Sequence, residues 1–391
     1  MTNAAGPLFF LFAGEPSGDL HGHHLMQALK EQSQKALFSG VGGPEMRNSG
    51  LKPVLKMEDF AVMGFTDVLI SLPKLYKHFY HVREQILKQM PAAVILIDYP
   101  DFNLRLAKSL RKKGYGGKII HYISPTVWAW RKSRIYTMEK TLDLLMTIYP
   151  FEKEHYHATR LNVKFIGNPL AEYLAKYAYN SSWKAMLNIP ADAPLIALFP
   201  GSRHGEVLRN LPVQLKAAEL LLKESPDRIF AVSASSAKEK VAILNALENS
   251  SLTLGKNLFL VPNQLTYELM RDSQTAIAKS GTVTLELALH HRPTVVIYSL
   301  TRLNHFIAKY ILRLKLPHYC IVNILAGKEI FPELIEDGLS SDNVYKKLLT
   351  LDHAGPERDE CLKNCREISK QLNIQNASQL AAKAVLELVP L

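Results

Sequence analysis

Ala93-Val94-Ile95-Leu96-Ile97 runs directly into Asp98-Tyr99-Pro100-Asp101-Phe102-Asn103, and the reading of residues 93–103 decides the fold. An unbroken apolar run with no alternation describes a strand buried on both faces, the signature of a parallel sheet covered by helices. The polar turn that follows carries two carboxylates three residues apart, and a helical pattern begins near Asn103. Strand, polar turn and helix together make half of a βαβ unit.

The same grammar extends in both directions. Strands are expected at Leu8–Ala13, Lys118–Tyr122 and Leu144–Ile148 in the first half. Leu195–Phe199, Ile229–Ser233, Leu258–Val261, Thr275–Ala278 and Thr294–Tyr298 supply the second. Helices are expected to begin near His21, Pro73, Asn103, Leu211 and Thr282. No internal repeat stands out. A length of 391 residues is about twice that of one domain. The break is expected between Asn168 and Pro194, giving domains 1–168 and 169–355. A strandless helical tail at 356–391 is free, on sequence grounds, to return to the first domain.

The apolar fraction of 47% is ample for packed cores, and 21% charged residues argues against disorder. The balance of 47 basic to 36 acidic residues, +11 with His neutral, favours anionic partners or is merely incidental. Cys320, Cys361 and Cys365 form no CxxC pair, which speaks against a disulfide framework or a zinc site and for a reducing compartment. No signal peptide is expected, and no apolar run reaches the ~18 residues that span a bilayer.

In open parallel sheets ligands bind at the carboxyl ends of the strands, so five loops draw attention. Gly14-Glu15-Pro16-Ser17-Gly18-Asp19 offers glycines, Ser17 and a helix N-terminus to an anion. It lacks the GxGxxG spacing, and on its own it reads first as a tight turn with Asp19 as N-cap. Asp98, at the end of the apolar strand, is the candidate general base, whereas Asp101 has an alternative use as a helix cap. Ser124-Pro125-Thr126-Val127-Trp128-Ala129-Trp130-Arg131 brings two tryptophans into one loop, for stacking on a ligand, anchoring in headgroups or packing between domains. Phe199-Pro200-Gly201-Ser202-Arg203 places a planar fork where a diphosphate could be gripped, or where Glu206 could form a surface ion pair with Arg203. Ser280-Gly281-Thr282 opens a helix, with Glu286 one turn past Thr282. A capping box would need an acid at 283 or 285, and those positions are Val and Leu.

Taken together, AGEPSGDLHG (13–22), VGGPEM (41–46), MGFTDVL (63–69), IDYPDFN (97–103), YISPTVWAWR (122–131), PFEKEHY (150–156), FPGSR (199–203), KSGTVTLELAL (279–289) and VNILAGKEI (322–330) resemble the lipid-A-disaccharide synthase family in order and spacing. The resemblance implies an α/β GT-B glycosyltransferase with two Rossmann-like domains facing a cleft. It implies inverting transfer of 2,3-diacylglucosamine from UDP to 2,3-diacylglucosamine 1-phosphate (lipid X), with no cofactor and no obligatory metal. Carried over by motif, Ser202, Arg203, Ser280, Gly281, Thr282, Glu286 and Asn323 would hold UDP. Asp98 would be the base, with Ser17, Asp19, Asp101, Trp128, Trp130 and Arg131 around the acceptor or cleft. Two positions depart from the family's habit: Asn168 stands where His is common, and Val322 where Pro is common before the Asn. The first removes any role that needs a titrating imidazole there.

Acylated substrates imply an anionic inner-membrane surface as partner and a peripheral, cytoplasmic location. Met63, Phe65, Val68, Leu69, Leu72, Leu75 and Tyr76 fall at helical spacing beside Lys74, Lys77 and His78, as do Phe306, Ile307, Tyr310, Ile311 and Leu314 beside Lys309, Arg313 and Lys315. Both stretches read as membrane-docking helices or as ordinary core-facing stripes. Rival readings are another UDP-sugar enzyme of this fold, such as a peptidoglycan-precursor N-acetylglucosaminyltransferase or a UDP-sugar 2-epimerase, or a non-catalytic lipid or nucleotide carrier. No basic run with interleaved aromatics supports nucleic-acid binding.

Overall fold

The structure, a computed structural model, describes residues 6–60, 65–128, 131–234, 237–299, 317–372 and 376–389, with the side chains of 65–72, 237–238 and 337 left aside. The chain forms two compact units, Met1–Glu172 with Leu372–Leu391, and Tyr173–Gln371.

The first unit is built on β1 (Leu8–Ala13), β2 (Leu37–Gly42), β3 (Lys52–Lys56), β4 (Ala93–Ile97), β5 (Lys118–Tyr122), β6 (Leu144–Thr147) and β7 (Val163–Phe165). Among the described residues these pair in the order β3-β2-β1-β4-β5-β6-β7, every pairing parallel. Side chains alternate across a strand, and β1 shows why its sequence is apolar throughout. Phe9, Leu11 and Ala13 enter the core under one face, Phe10 and Phe12 the core under the other, and none is exposed. Burying each such large side chain is worth ~1.5–3 kcal/mol. On the first face the Pro16–Gln32 helix contributes Leu25, Met26 and Leu29, and the Ala377–Leu386 helix packs beside it with Ala381, Ala382 and Val385. The amide nitrogen of Gln32 donates to the backbone oxygen of Gln379 at 3.0 Å, and Ser378 N–H donates to Glu172 at 2.9 Å. The last helix therefore does return to the first unit.

The second unit uses β8 (Leu195–Phe199), β9 (Ile229–Ala234), β10 (Leu258–Pro262), β11 (Thr275–Lys279), β12 (Thr294–Tyr298) and β13 (Glu333–Ile335). Their order is β10-β9-β8-β11-β12-β13, again parallel. Both units thus carry the doubly wound 3-2-1-4-5-6 order, a structural repeat that the sequence does not display. Trp183 is fully buried under this sheet, and its indole N–H donates to Asp272 at 2.7 Å.

The expected strands all form, but most helices begin earlier than expected: at Pro16, Phe65, Pro100 and His204 rather than near His21, Pro73, Asn103 and Leu211. Proline is the reason. Pro16 and Pro100 occupy first-turn positions where a missing N–H costs nothing, while Pro73, expected near a helix start, and Pro212, next to the expected start near Leu211, both lie inside their helices. The strands not anticipated are β2, β3, β7 and β13. In β2, Gly40 has φ +144 and a Cβ there would fall 1.9 Å from the Leu11 carbonyl oxygen, so the strand needs a glycine that breaks its apolar pattern. No helix among the described residues is long and apolar enough to cross a membrane. The 306–315 stretch, Met63 and Trp130 lie outside the described residues, as do the side chains of Phe65, Val68, Leu69 and Leu72.

Candidate active site

In each sheet the strand order reverses at one point, between β1 and β4 in the first unit and between β8 and β11 in the second. Loops leaving adjacent strands in opposite directions open a crevice there.

In the first unit that crevice is a cavity of about 640 Å³ lined by Glu15, Asp98, Tyr99, Asp101 and Arg105, with Leu75, Tyr76, Phe79 and Phe102 as an apolar wall. Asp98 and Tyr99 both take left-handed backbone conformations, φ 47. Such residues cost ~1–3 kcal/mol each and persist only where the surroundings impose them. Here the Asn103 side chain imposes them, donating to the carbonyls of Asp98 at 2.6 Å and Ile97 at 3.3 Å, while Asp98 N–H donates to Tyr122 O at 2.9 Å. The Asp98 carboxylate meets no cation among the described residues. Burial, and then the negative charge of Glu15, push its pKa up to about 6, with the Tyr99 N–H pulling the other way. An unpaired carboxylate with that pKa is suited to accept a proton near neutrality.

The neighbouring candidates divide. Asp101 lies in the first turn of the Pro100–Lys112 helix and takes Arg131 and Arg134 on one oxygen, each at 2.6 Å. Ser17 is exposed in the first turn of its helix, outside the cavity lining. Asp19 needs correcting. It is neither an N-cap nor open to a ligand: it is 2% exposed and its carboxylate accepts the backbone N–H groups of Gly43 at 2.7 Å, Glu45 at 3.0 Å and Met46 at 3.1 Å. It holds the turn into the Pro44–Asn48 helix. Trp128 is half-buried, with Phe151 edge-on at 5.4 Å, a contact that ties its loop to the first unit. Asn168 accepts from Leu170 N–H at 3.0 Å and Ala171 N–H at 3.3 Å, capping the helix that follows, a task that needs no titrating ring.

In the second unit a cavity of about 260 Å³ is lined by residues from the loops after β8 and β11, among them Gly201, Ser202, Lys279, Gly281, Thr282 and Glu286. Gly201 has φ +128, and a Cβ there would fall 2.6 Å from that of Glu206. Glu206 pairs with Lys279 at 3.2 Å, not with Arg203, and accepts Ser202 N–H at 3.3 Å. Arg203 is left exposed at the N-cap of the His204–Glu224 helix, with no ion pair among the described residues. Gly281 caps the Thr282–Leu289 helix without a side-chain hydrogen bond, and Gly281, Thr282 and Val283 at the helix start line the cavity. Ser280 stands just behind, its N–H on Ile297 O. Glu286 receives the Tyr267 hydroxyl at 3.2 Å, and burial pushes its pKa up to about 7. Asn323 needs correcting too. Its amide donates to Phe331 O at 2.8 Å and Glu333 at 2.7 Å and accepts Ile330 N–H at 2.8 Å and Phe331 N–H at 2.9 Å, which fills its hydrogen-bonding capacity within the fold. The residues not singled out in the sequence are Glu15, Arg105, Tyr267 and Lys279. Of these only Lys279 carried a local signal, a charge closing the apolar run Thr275–Ala278.

A family model described as lipid-A-disaccharide synthetase matches residues 9–386. The lipid-A-disaccharide synthase of Chlamydia pneumoniae is 40% identical over 384 residues, covering 97% of this chain and 63% of that protein. The chain thus spans about half to three fifths of the length of the chlamydial relatives it matches. The Myxococcus xanthus enzyme of the same name is 32% identical, with 100% of this chain and 99% of that protein covered. Among solved structures, UDP-GlcNAc 2-epimerase from Neisseria meningitidis bound to UDP-GlcNAc aligns with a TM-score of 0.63 at 11% identity, over 97% of this chain and 99% of that one. The calicheamicin glycosyltransferase CalG4 aligns with a TM-score of 0.57 at 11% identity, over 98% of each chain. These likenesses show the GT-B-like, two-Rossmann fold. On the family match and the relatives together, the chain belongs to the lipid-A-disaccharide synthetase family.

Proposed function

We propose that this protein transfers 2,3-diacylglucosamine from UDP to the 6-hydroxyl of 2,3-diacylglucosamine 1-phosphate, with inversion, releasing UDP. The observation that carries the reading is Asp98: an unpaired carboxylate with a pKa of about 6, in a cavity whose other wall is Leu75, Tyr76, Phe79 and Phe102. Asp98 takes the proton of the attacking hydroxyl as its oxygen bonds to the anomeric carbon, and the carbon–oxygen bond to UDP breaks on the opposite face. UDP leaves with the bonding pair, and its charge is met by the free N–H groups at Thr282, by Ser202 and Ser280 and by the bidentate fork of Arg203. Glu286, steadied by Tyr267, accepts the ribose hydroxyls. The apolar wall receives acyl chains, for which a plain N-acetyl sugar has no use.

On this reading the enzyme works at the inner face of the cytoplasmic membrane, where its acylated substrates would lie. Tyr76, 55% exposed on the Phe65–Gln89 helix, and the excess of basic residues support docking by that helix on an anionic surface. Incubation with UDP-2,3-diacylglucosamine and lipid X, followed by mass analysis, tests the reaction. The expected product is the disaccharide 1-phosphate. Transfer from UDP-N-acetylglucosamine at a comparable rate would overturn the substrate assignment.

A further inference from the structure

Strand β11 ends on a charge. Thr275 to Ala278 are buried, and Lys279 follows as the last residue of the strand, on the lining of the second-unit cavity. Its ammonium is held on two sides. Glu206 Oε1 lies 3.2 Å away, and the centre of the Tyr298 ring lies at 5.3 Å. Only 20% of the lysine side chain and 14% of that of Glu206 are exposed. The other Glu206 oxygen accepts the Ser202 N–H at 3.3 Å, so one carboxylate sets both the lysine and the loop after β8. Gly281 lines the same cavity, and a Cβ there would lie 4.0 Å from the ammonium nitrogen, with nothing nearer. The lysine head therefore stands beside the start of the Thr282–Leu289 helix, with no side chain between them at position 281.

An ammonium has three N–H donors and no acceptor. Glu206 engages it on one side, Tyr298 offers a ring face, and Lys279 makes no other hydrogen bond or ion pair among the described residues. We infer that Lys279 is a further catalytic residue of the transfer, its remaining donors binding the diphosphate of the UDP donor. The inference rests on the reading that the diphosphate lies in the second-unit cavity. As the bond between the anomeric carbon and the β-phosphate oxygen breaks, the electron pair stays on that oxygen. The ammonium meets the charge that grows there and keeps its own proton throughout, while the proton of the attacking hydroxyl goes to Asp98. Glu206 is the positioning residue. It fixes a long side chain before the ligand arrives, so less rotamer freedom remains to be lost on binding.

The test uses the full chain. UDP and uridine are titrated by calorimetry into the unaltered protein, into Lys279→Gln and into the double variant Lys279→Gln/Glu206→Gln. Lys279→Gln is expected to weaken UDP about tenfold or more and to leave uridine, which has no phosphate, unchanged. The double variant separates a lost ammonium from a bared carboxylate. If Lys279 itself grips the diphosphate, UDP binding stays weak when Glu206 is neutral as well; if an unpaired Glu206 merely repels UDP, binding returns. With UDP-2,3-diacylglucosamine and lipid X, kcat of Lys279→Gln is expected to fall about tenfold or more, because the charge is greatest as the bond breaks. UDP affinity that ignores Lys279→Gln, equal losses on UDP and uridine, recovery in the double variant, or an unchanged kcat would overturn the inference. Lysine-dependent UDP binding in a protein that transfers no sugar would support the diphosphate contact and refute the transfer reaction instead.

Discussion

Replacing Asp98 with Asn separates the chemistry from the architecture. The two side chains have the same shape, so the left-handed turn held by Asn103 survives, but an amide cannot take up a proton. General-base catalysis contributes roughly a hundred- to ten-thousand-fold, and turnover should fall by that factor. UDP binding should not change, because Ser202, Thr282 and Glu286, three of the residues proposed to grip it, line a cavity in the second unit. In the unaltered protein the rate should fall on the acid side with a midpoint near pH 6, where Asp98 gains its proton. Stability should move the opposite way. The carboxyl's pKa is raised in the folded state from 3.8 to about 6, so any stability it contributes is present below pH 4 and is lost as pH rises through 6. At pH 8 the buried charge costs up to ~3 kcal/mol. Asp98→Asn should therefore melt higher than the unaltered protein at pH 8, and the gap should close by pH 4. Steady-state UDP release, calorimetric UDP binding and melts at the two pH values measure all three effects. Turnover within about threefold of normal, or a lower melting temperature at pH 8, would refute the assignment.

The Glu286–Tyr267 pair predicts a second pH effect: KM for the UDP donor should rise as pH drops below about 7, where Glu286 protonates, and Glu286→Gln should flatten that dependence. Tyr267→Phe removes a donor that stabilises the carboxylate, so the midpoint in the donor KM profile should move to higher pH. Arg203→Ala should raise the donor KM by about ten- to a hundredfold while leaving the melting curve nearly unchanged, since the side chain is exposed and makes no ion pair among the described residues. Asp19→Ala should do the reverse. It strands backbone donors of Gly43, Glu45 and Met46 in the interior at ~1–3 kcal/mol for each group, so a lowered melt with a near-normal acceptor KM in the surviving folded fraction is expected.

The central strands were legible because both their faces are buried, which leaves nothing but apolar residues in Leu8–Ala13, Ala93–Ile97 and Leu195–Phe199. The strands that escaped are those whose sequences answer to other demands. β2 contains Gly40 where it crosses close to β1, and β3, β7 and β13 sit at sheet edges, where Lys52, Lys56, Lys164 and Glu333 are tolerated. Asp98 stands out in the sequence because nothing in the local helix requires it, and it lines the first-unit cavity. Asp19 and Asn323 misled because their partners are remote or lie in an irregular loop: Asp19 serves backbone groups at 43–46, and Asn323 serves backbone groups at 330–331 and the Glu333 carboxylate. Chemistry-bearing residue types at strand ends look alike whether they face a ligand or the fold's own amides. Tyr267 and Arg105 gave no signal at all, since an aromatic or a basic residue on an amphipathic helix is ordinary.

The return of the Ala377–Leu386 helix to the first sheet sets an order of events during synthesis. Leu25 and Leu29 lack their covering layer until residues 381–385 have left the ribosome, by which time all of Tyr173–Gln371 has already emerged. The uninterrupted half can mature while the earlier-made half still waits for its covering helix, with an oily flank bare to chaperones and proteases. A premature stop codon near position 375 would leave the segments bearing Asp98 and Glu286 translated and would still strike the half that holds Asp98.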